Sequence, residues 1–241
     1  MPESSALVLG GGGGIGAAVS RRLAEDHAVA IGYLHHGDRA KALANELSGQ
    51  GRTVELVQSD ATTDEGVVAA FDAAERLGEL RVVVHCVGGW DYPRITELTE
   101  QSIDDSLRLN LRSGLLALRE SAKRVADGGR VVLLSSVAAD VAPARQSTYA
   151  GAKAGLEAAA RVAAKEVASR GVTVNVIRPG ATDTETLRDG TSPKAIEAMA
   201  GSNAMRRLGT PDDIAGAVLM LCGPDSGWVT GAVIDATGGL R

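Results

Sequence analysis

Five consecutive glycines, Gly10 to Gly14, separate the apolar run Ala6–Leu9 from an amphipathic stretch that begins at Ile15 and Gly16. Such a run sustains neither strand nor helix, because glycine loses the most conformational entropy on ordering and has no side chain to pack. The chain must turn there with its backbone bare. A bare turn between a short apolar strand and a helix demands a fold in which the helix packs back over the strand it follows.

The rest of the chain repeats that unit. Short apolar runs recur at Ala28–Tyr33, Thr53–Gln58, Arg81–Cys86, Arg130–Ser135, Val172–Ile177 and Ala232–Asp235. Helix-like stretches lie between them: Ile15–Asp26, Asp38–Leu47, Asp64–Leu77, Thr99–Ala126, Ser147–Arg170 and Pro211–Cys222. In Asp64–Leu77, Val67, Val68, Phe71 and Ala74 recur at helical spacing. Thr210 and Pro211 read as an N-cap and a first helical residue. Strict alternation predicts an α/β fold, a parallel sheet with helices on both faces. Residues 1–241 read as a single domain. The long stretch outside the pattern, about 180–209, reads as a substrate loop or as a plain surface loop, with Ala195–Met199 as a candidate short helix.

Composition narrows the function. Glycine is 30 of 241 residues, and the aromatics are two Trp, three Tyr and one Phe. A core with one Phe is built from Val, Leu, Ile and Ala, which suits a buried parallel sheet. The net charge of −5 leaves no electrostatic footprint for nucleic acid. No apolar run approaches the roughly 18 residues of a membrane span. Met1 to Ala6 lacks the basic start of a secretory signal, so a cytoplasmic location is expected. Cys86 and Cys222 read as reduced thiols, one structural disulfide being the alternative. No metal is expected.

The glycine turn, standing after the first strand and opening the first helix, is the setting in which backbone N–H groups receive a dinucleotide pyrophosphate. No Gly-Lys-Ser/Thr follows, which speaks against a nucleoside triphosphate loop. After the second strand the chain reads Tyr33-Leu34-His35-His36-Gly37-Asp38-Arg39, with no acid at the strand's end. A carboxylate there would repel a 2′-phosphate. Its absence beside His35, His36 and Arg39 favours NADP(H), with NAD(H) as the alternative if the histidines are merely surface residues.

Tyr149 and Lys153 are four apart on one predicted helix and share a face. A lysine cation beside a phenol makes it a usable acid or base. Ser135-Ser136 end the fifth strand, where a parallel sheet presents side chains to its crevice. Asn110 lies in the preceding helix. This is equipment for moving a proton on and off a carbonyl or alcohol oxygen while a nicotinamide carries the hydride.

With these residues the chain resembles the short-chain dehydrogenase/reductase family over nearly its whole length, most of all reductases similar to 3-oxoacyl-(acyl-carrier-protein) reductase. The matching positions are Gly10, Gly14 and Gly16, Asp60, Asn110, Ser136 thirteen residues before Tyr149, and Lys153. Asn175, Pro179-Gly180, Thr184, Val229-Thr230-Gly231 and Gly238-Gly239-Leu240 match as well. The resemblance implies a Rossmann-type, doubly wound, seven-stranded parallel sheet and a homotetramer or homodimer joined through the helices of Asn110 and Tyr149. It implies that Tyr149 is the general acid, that Lys153 lowers its pKa and binds the nicotinamide ribose, that Ser136 orients the carbonyl and that Asn110 holds a relay water. It implies that Asp60 contacts adenine and Thr184 the carboxamide. Ile15, Tyr33, Ala61, Val87, Gly88, Pro179, Gly180 and Thr182 complete the expected cofactor contacts.

Two positions depart from the family. Leu9 stands where it has Thr, and His85-Cys86-Val87-Gly88 where it has Asn-Asn-Ala-Gly. Both ends of one contact have changed together, so an apolar contact is expected in place of a hydrogen bond, with His85 structural. Trp90 and Tyr92 are expected either to line the substrate pocket or to anchor their loop; Gln146 and Leu187 are further pocket candidates. Phe71 and Trp228 are expected to be structural. Arg108, Arg112, Arg119, Lys123 and Arg124 form either a docking face for an acidic carrier or a solvated or subunit face. The expected function is NADPH-dependent reduction of a 3-oxoacyl or polyketide-like ketone, free or carrier-bound. The alternatives are oxidoreduction of a cyclic ketone, steroid or sugar alcohol, and a non-catalytic dinucleotide-binding redox sensor.

Overall fold

The computed structural model describes residues 4–240. The leader reading at Met1–Ala6 therefore falls partly outside the described residues, at Met1, Pro2 and Glu3. Seven strands, β1 (Ser4–Leu9), β2 (Ala28–Tyr33), β3 (Val54–Gln58), β4 (Glu79–His85), β5 (Arg130–Leu134), β6 (Thr173–Pro179) and β7 (Val233–Ala236), form one sheet. Its order is β3-β2-β1-β4-β5-β6-β7, and every pairing is parallel. The direction of winding reverses between β1 and β4, and a crevice opens over the carboxyl ends at such a switch point.

Side chains alternate across the sheet and feed two cores. Leu7 and Leu9 of β1, Val83 of β4, and Val131 and Leu133 of β5 pack under α3 (Asp64–Leu77), α5 (Ser113–Arg124) and α7 (Ser147–Val167). Ala6, Val8, Val82, Val84, Val132 and Leu134 pack on the other face, under α1 (Gly14–Leu23), α2 (Gly37–Gly49) and α10 (Pro211–Cys222). Both faces are covered, so the strands carry continuous apolar runs. Phe71 is fully buried in the first core, with the Arg124 guanidinium 5.5 Å from its ring centroid. Trp228 is not structural in the expected sense: it is 99% exposed, because the turn before β7 carries it off the edge of the sheet.

Local chemistry explains the helix starts. The Thr63 hydroxyl accepts from Gly66 N, with Asp64 and Glu65 in the first turn of α3. Thr210 and Asp213 form a capping box on α10, with Pro211 at its start. The stretch expected as one helix, Thr99–Ala126, is broken. Glu100–Leu107 (α4) passes into a wide turn at Arg108–Arg112, where Ser113 N bonds Arg108 O, five residues back, before α5 begins. The Asn110 amide takes Ser106 O and the Ser113 hydroxyl takes Leu109 O, so side chains compete with the helical ladder at this point. A one-turn helix, Ala138–Val141 (α6), lay unseen in the sequence. The long excursion after β6 holds two helices, Glu185–Gly190 (α8) and Pro193–Gly201 (α9). Its ends meet in a bridge between Thr182 and Gly209.

Candidate active site

The glycine turn is fixed by close approach. Gly10 has φ +75°, and a Cβ there would stand 3.1 Å from the Cys86 carbonyl carbon. A Cβ at Gly16 would stand 2.1 Å from Gly10 O. No larger residue fits either position without moving the backbone. Gly13 caps α1 with no side chain, and no acid occupies the first turn. The first amides of α1 therefore stay free for an anion.

Two adjoining cavities open over β1 and β4. One, about 500 Å³, is the groove along the glycine turn. Gly10, Gly14, Ile15, Gly16, Tyr33, His35, His36, Asp60, Ala61, Val87, Gly88 and Thr184 all line it, as does Arg39. Asp60 accepts from the Thr62 hydroxyl at 2.7 Å and the Thr62 amide at 2.9 Å. Burial pushes this carboxyl upward, and the Thr62 bonds together with the Arg108 and His35 charges outweigh that and hold it below the usual range. Arg39 reaches across the groove to Glu185 at the start of α8, 2.5 Å away.

The second cavity, about 430 Å³, holds Ser136, Tyr149, Lys153, Trp90, Tyr92, Gln146, Pro179, Gly180, Thr182 and Leu187. The two cavities share Ile15, Cys86, Val87, Gly88, Trp90, Leu134 and Thr184. Trp90 lies against Tyr149, ring centroids 6.3 Å apart and tilted by 59°. Lys153 is buried, and its Nζ donates to Leu134 O at 3.0 Å. Burial pushes its pKa down to about 8. The Nζ stands 6.0 Å from the Tyr149 ring centroid. The Tyr149 phenol is raised by burial, and a hydrogen bond with the Ser136 hydroxyl draws it partly back. Before any ligand enters, desolvation thus outweighs the lowering expected from Lys153.

Asn110 lines neither cavity. It is 1% exposed, and its amide grips the loop behind them, accepting from Gly89 N at 3.0 Å and donating to Gly89 O at 2.8 Å. A Cβ at Gly88 would stand 2.8 Å from Lys153 Nζ and 3.0 Å from Asn110 Oδ1. A side chain there would have to displace the Lys153 ammonium or the Asn110 amide.

His85 points away from both cavities. The Ser113 hydroxyl donates to Leu109 O at 2.6 Å, so it accepts from His85 Nε2 at 3.0 Å, which assigns the Nε2–H tautomer. Burial pushes the imidazole down to about 3, leaving it neutral and structural. Leu9 is fully buried, and β1 meets the start of the loop through a backbone bond, Cys86 N to Leu9 O at 2.8 Å. Both cysteines are free thiols. Of the five basic residues expected on this face, Arg108 pairs with Asp105, Arg119 with Asp64 and Glu120, Lys123 with Glu120, and Arg124 with Asp72 and Glu75, while Arg112 makes no ion pair among the described residues.

Sequence reasoning missed part of the pocket wall: Ala138, Val141, Pro143, Met199, Asn203 and Leu240. They come from three separate segments with no common spacing, so no motif could have found them. Among the described residues no helix is long and apolar enough to cross a membrane.

Comparison with known proteins places this arrangement. Residues 11–241 match the family model described as enoyl-(acyl carrier protein) reductase. An oxidoreductase of Methylorubrum extorquens is 36% identical over 98% of this chain and 97% of its own length. A hydroxynaphthalene reductase of Aspergillus fumigatus is 32% identical over 94% of this chain and 88% of its own. The structure of a short-chain dehydrogenase from Burkholderia cenocepacia in complex with NADP superposes with a TM-score of 0.92 at 33% identity, covering 98% of this chain and 97% of that one. The chain belongs to the short-chain dehydrogenase/reductase family. It is an oxidoreductase of that type.

Proposed function

We propose that the protein reduces a neutral, largely apolar ketone to a secondary alcohol with NADPH. One observation carries the reading: Ser136, Tyr149 and Lys153 converge where the glycine groove meets an apolar pocket, and among the described residues Lys153 is the only charged one lining that pocket. A pocket with no other cation offers no anchor for a carboxylate or phosphate on the substrate. Its tilted Trp90 and Tyr149 rings favour a ring-bearing, polyketide-like ketone. The hydroxynaphthalene reductase of A. fumigatus, by its name, acts on a ring-bearing compound.

The groove fits a dinucleotide. The uncapped start of α1 would hold the pyrophosphate, Asp60 would face adenine and Thr184 the carboxamide. The lack of an acid at the end of β2, with His35, His36 and Arg39 on the wall, favours a 2′-phosphate over a free ribose hydroxyl. The bound cofactor supplies the hydride. The Ser136 hydroxyl donates to the carbonyl oxygen and fixes its direction. Tyr149 gives its phenolic proton to that oxygen as negative charge develops there. The Lys153 cation favours the resulting phenolate and anchors the nicotinamide ribose. Asn110 keeps the Gly88-Gly89 wall in place from behind the cavities, its side-chain amide taken up by Gly89 and Ser106. Residues 180–209 act as the substrate loop, within a single domain of 241 residues. The assembly is a homotetramer or homodimer in a reducing, cytoplasm-like compartment.

The test is NADPH consumption with β-ketoacyl thioesters, cyclic ketones and quinones, with Tyr149→Phe beside the wild type. The variant should lose about 10²- to 10⁴-fold in kcat, the usual reach of one general acid, and bind NADPH as before. Wild-type protein that binds NADPH yet reduces no carbonyl would point to the redox sensor instead. Turnover only with NAD and alcohols would overturn the cofactor and direction.

A further inference from the structure

One buried carboxylate, outside the constellation just described, joins the three segments that carry the site. Glu157 is 3% exposed, on the same stripe of α7 as Tyr149 and Lys153, one turn beyond Lys153. Both of its oxygens are held by Arg178, Nε to Oε1 at 2.7 Å and Nη2 to Oε2 at 2.8 Å. Its Oε1 also accepts from the Ser135 hydroxyl at 2.7 Å, and that hydroxyl lies 3.4 Å from the Lys153 carbonyl oxygen.

The neighbours of these groups give the arrangement its meaning. Ser135 directly precedes Ser136. Arg178 directly precedes Pro179-Gly180, which turn the chain into the pocket wall. Backbone bonds tie the same segments together: Ser135 N to Ile177 O at 2.8 Å and Val137 N to Pro179 O at 3.0 Å. A buried ion pair is a poor device for stability alone, since an apolar pair of similar volume often serves as well. It is a good device for fixing direction, because a bidentate guanidinium and a hydroxyl leave the carboxylate one orientation.

We propose that Glu157 is a positioning residue: held by Arg178 and Ser135, it fixes the Ser136 hydroxyl at the end of β5 against the Tyr149 phenol on α7, and anchors the Pro179-Gly180 turn to both. This rests on the reading of Ser136, Tyr149 and Lys153 as the reacting groups.

The test uses the full chain in a Trp228→Phe background, where Trp90 is the sole tryptophan and reports on its neighbour Tyr149. Glu157→Gln leaves Arg178 near Asp140 and Asp235, each 3.5 Å away, so the fold has other partners to draw on. Its kcat should fall by about 10- to 100-fold, the scale of a displacement of about 1 Å at reacting groups. The KM for ketone should stay within about twofold, since uniform binding is untouched. Ser135→Ala, which leaves the ion pair whole, should lower kcat about tenfold with little change in Tm. Both should shift Trp90 emission. The double variant Glu157→Leu/Arg178→Leu should recover Tm and not kcat. Recovery of kcat together with Tm, or unchanged Trp90 emission and kcat in the single variants, would reduce the network to a structural role and overturn the proposal. If wild-type protein reduces no carbonyl at all, the proposed reaction falls, and the Trp90 emission of the single variants still decides whether Glu157 positions Tyr149.

Discussion

The groove and the pocket adjoin, yet they are built in opposite ways. The groove is made by backbone: Gly10 at φ +75°, Gly16 pressed on Gly10 O, and the uncapped start of α1. Its geometry is local to one turn of chain. The pocket is made by side chains: Trp90 and Tyr92 from the loop after β4, Val141 and Pro143 from the stretch around α6, and Leu187 and Met199 from the excursion after β6. A backbone site serves a ligand whose shape is fixed, while a side-chain site can be altered one residue at a time. Lys153 lines the pocket and stands behind Gly88, which lines both, so it is the place where the comparison is most exposed to test.

Lys153→Met should give the largest effect. It should lower kcat by about 10²-fold or more, the scale of a lost charge-stabilising contact, and weaken NADPH binding measured by fluorescence, so both regions fail together. The pH profile of the wild type bears on the same residue. Its pKa, about 8, means that it is a cation below that pH and neutral above it. Reductive kcat/KM should hold below about pH 8 and fall roughly tenfold per unit above, as for loss of one essential proton. A profile flat to pH 10 would separate Lys153 from the chemistry.

Gly16→Ala should come next and should strike the groove. A Cβ at 2.1 Å from a carbonyl oxygen exceeds ordinary overpacking, which costs about 1–3 kcal/mol. NADPH affinity should drop by about tenfold or more, at roughly 1.4 kcal/mol per decade, with a lower Tm. Trp90→Ala should strike chiefly the pocket: KM for ring ketones should rise by about tenfold, from lost ring contact and burial, while NADPH affinity should fall by less than in Gly16→Ala, since Trp90 also edges the groove. If Trp90→Ala weakens NADPH binding as much as Gly16→Ala does, the two regions are not separable. The smallest effect belongs to Glu185→Gln. The Arg39–Glu185 pair is exposed, and such pairs contribute about 0–1 kcal/mol. Freeing Arg39 should raise NADPH affinity by at most about fivefold, and NADH affinity less; titration calorimetry with both dinucleotides checks it.

The same division explains what could be read early. Seven strands stood out because each is a Val-rich run with its faces in two cores. Their ends moved by one or two residues, as Ser135 did, since ladder bonds rather than side chains set where a strand stops. Thr99–Ala126 looked continuous because its apolar spacing is helical on both sides of Asn110. The break comes from hydrogen bonds between Asn110, Ser113 and the backbone, and those leave no periodicity. Trp228 looked structural only because aromatics are scarce here, and scarcity says nothing about where a turn places a ring.

By itself the sequence determined the parallel sheet, the bare glycine turn and the stripe carrying Tyr149 and Lys153, because each depends on residues within one element and its neighbours. Only the tertiary structure decided that Asn110 grips Gly89 from behind the cavities, that His85 turns to Ser113, that Arg39 meets Glu185 across the groove and that Glu157 joins Ser135 to Arg178. Those contacts span roughly 20 to 150 positions of chain, and loop-closure entropy grows so slowly with separation that the intervening sequence does not specify them. They are fixed by how the layers pack, which no single element of the sequence contains.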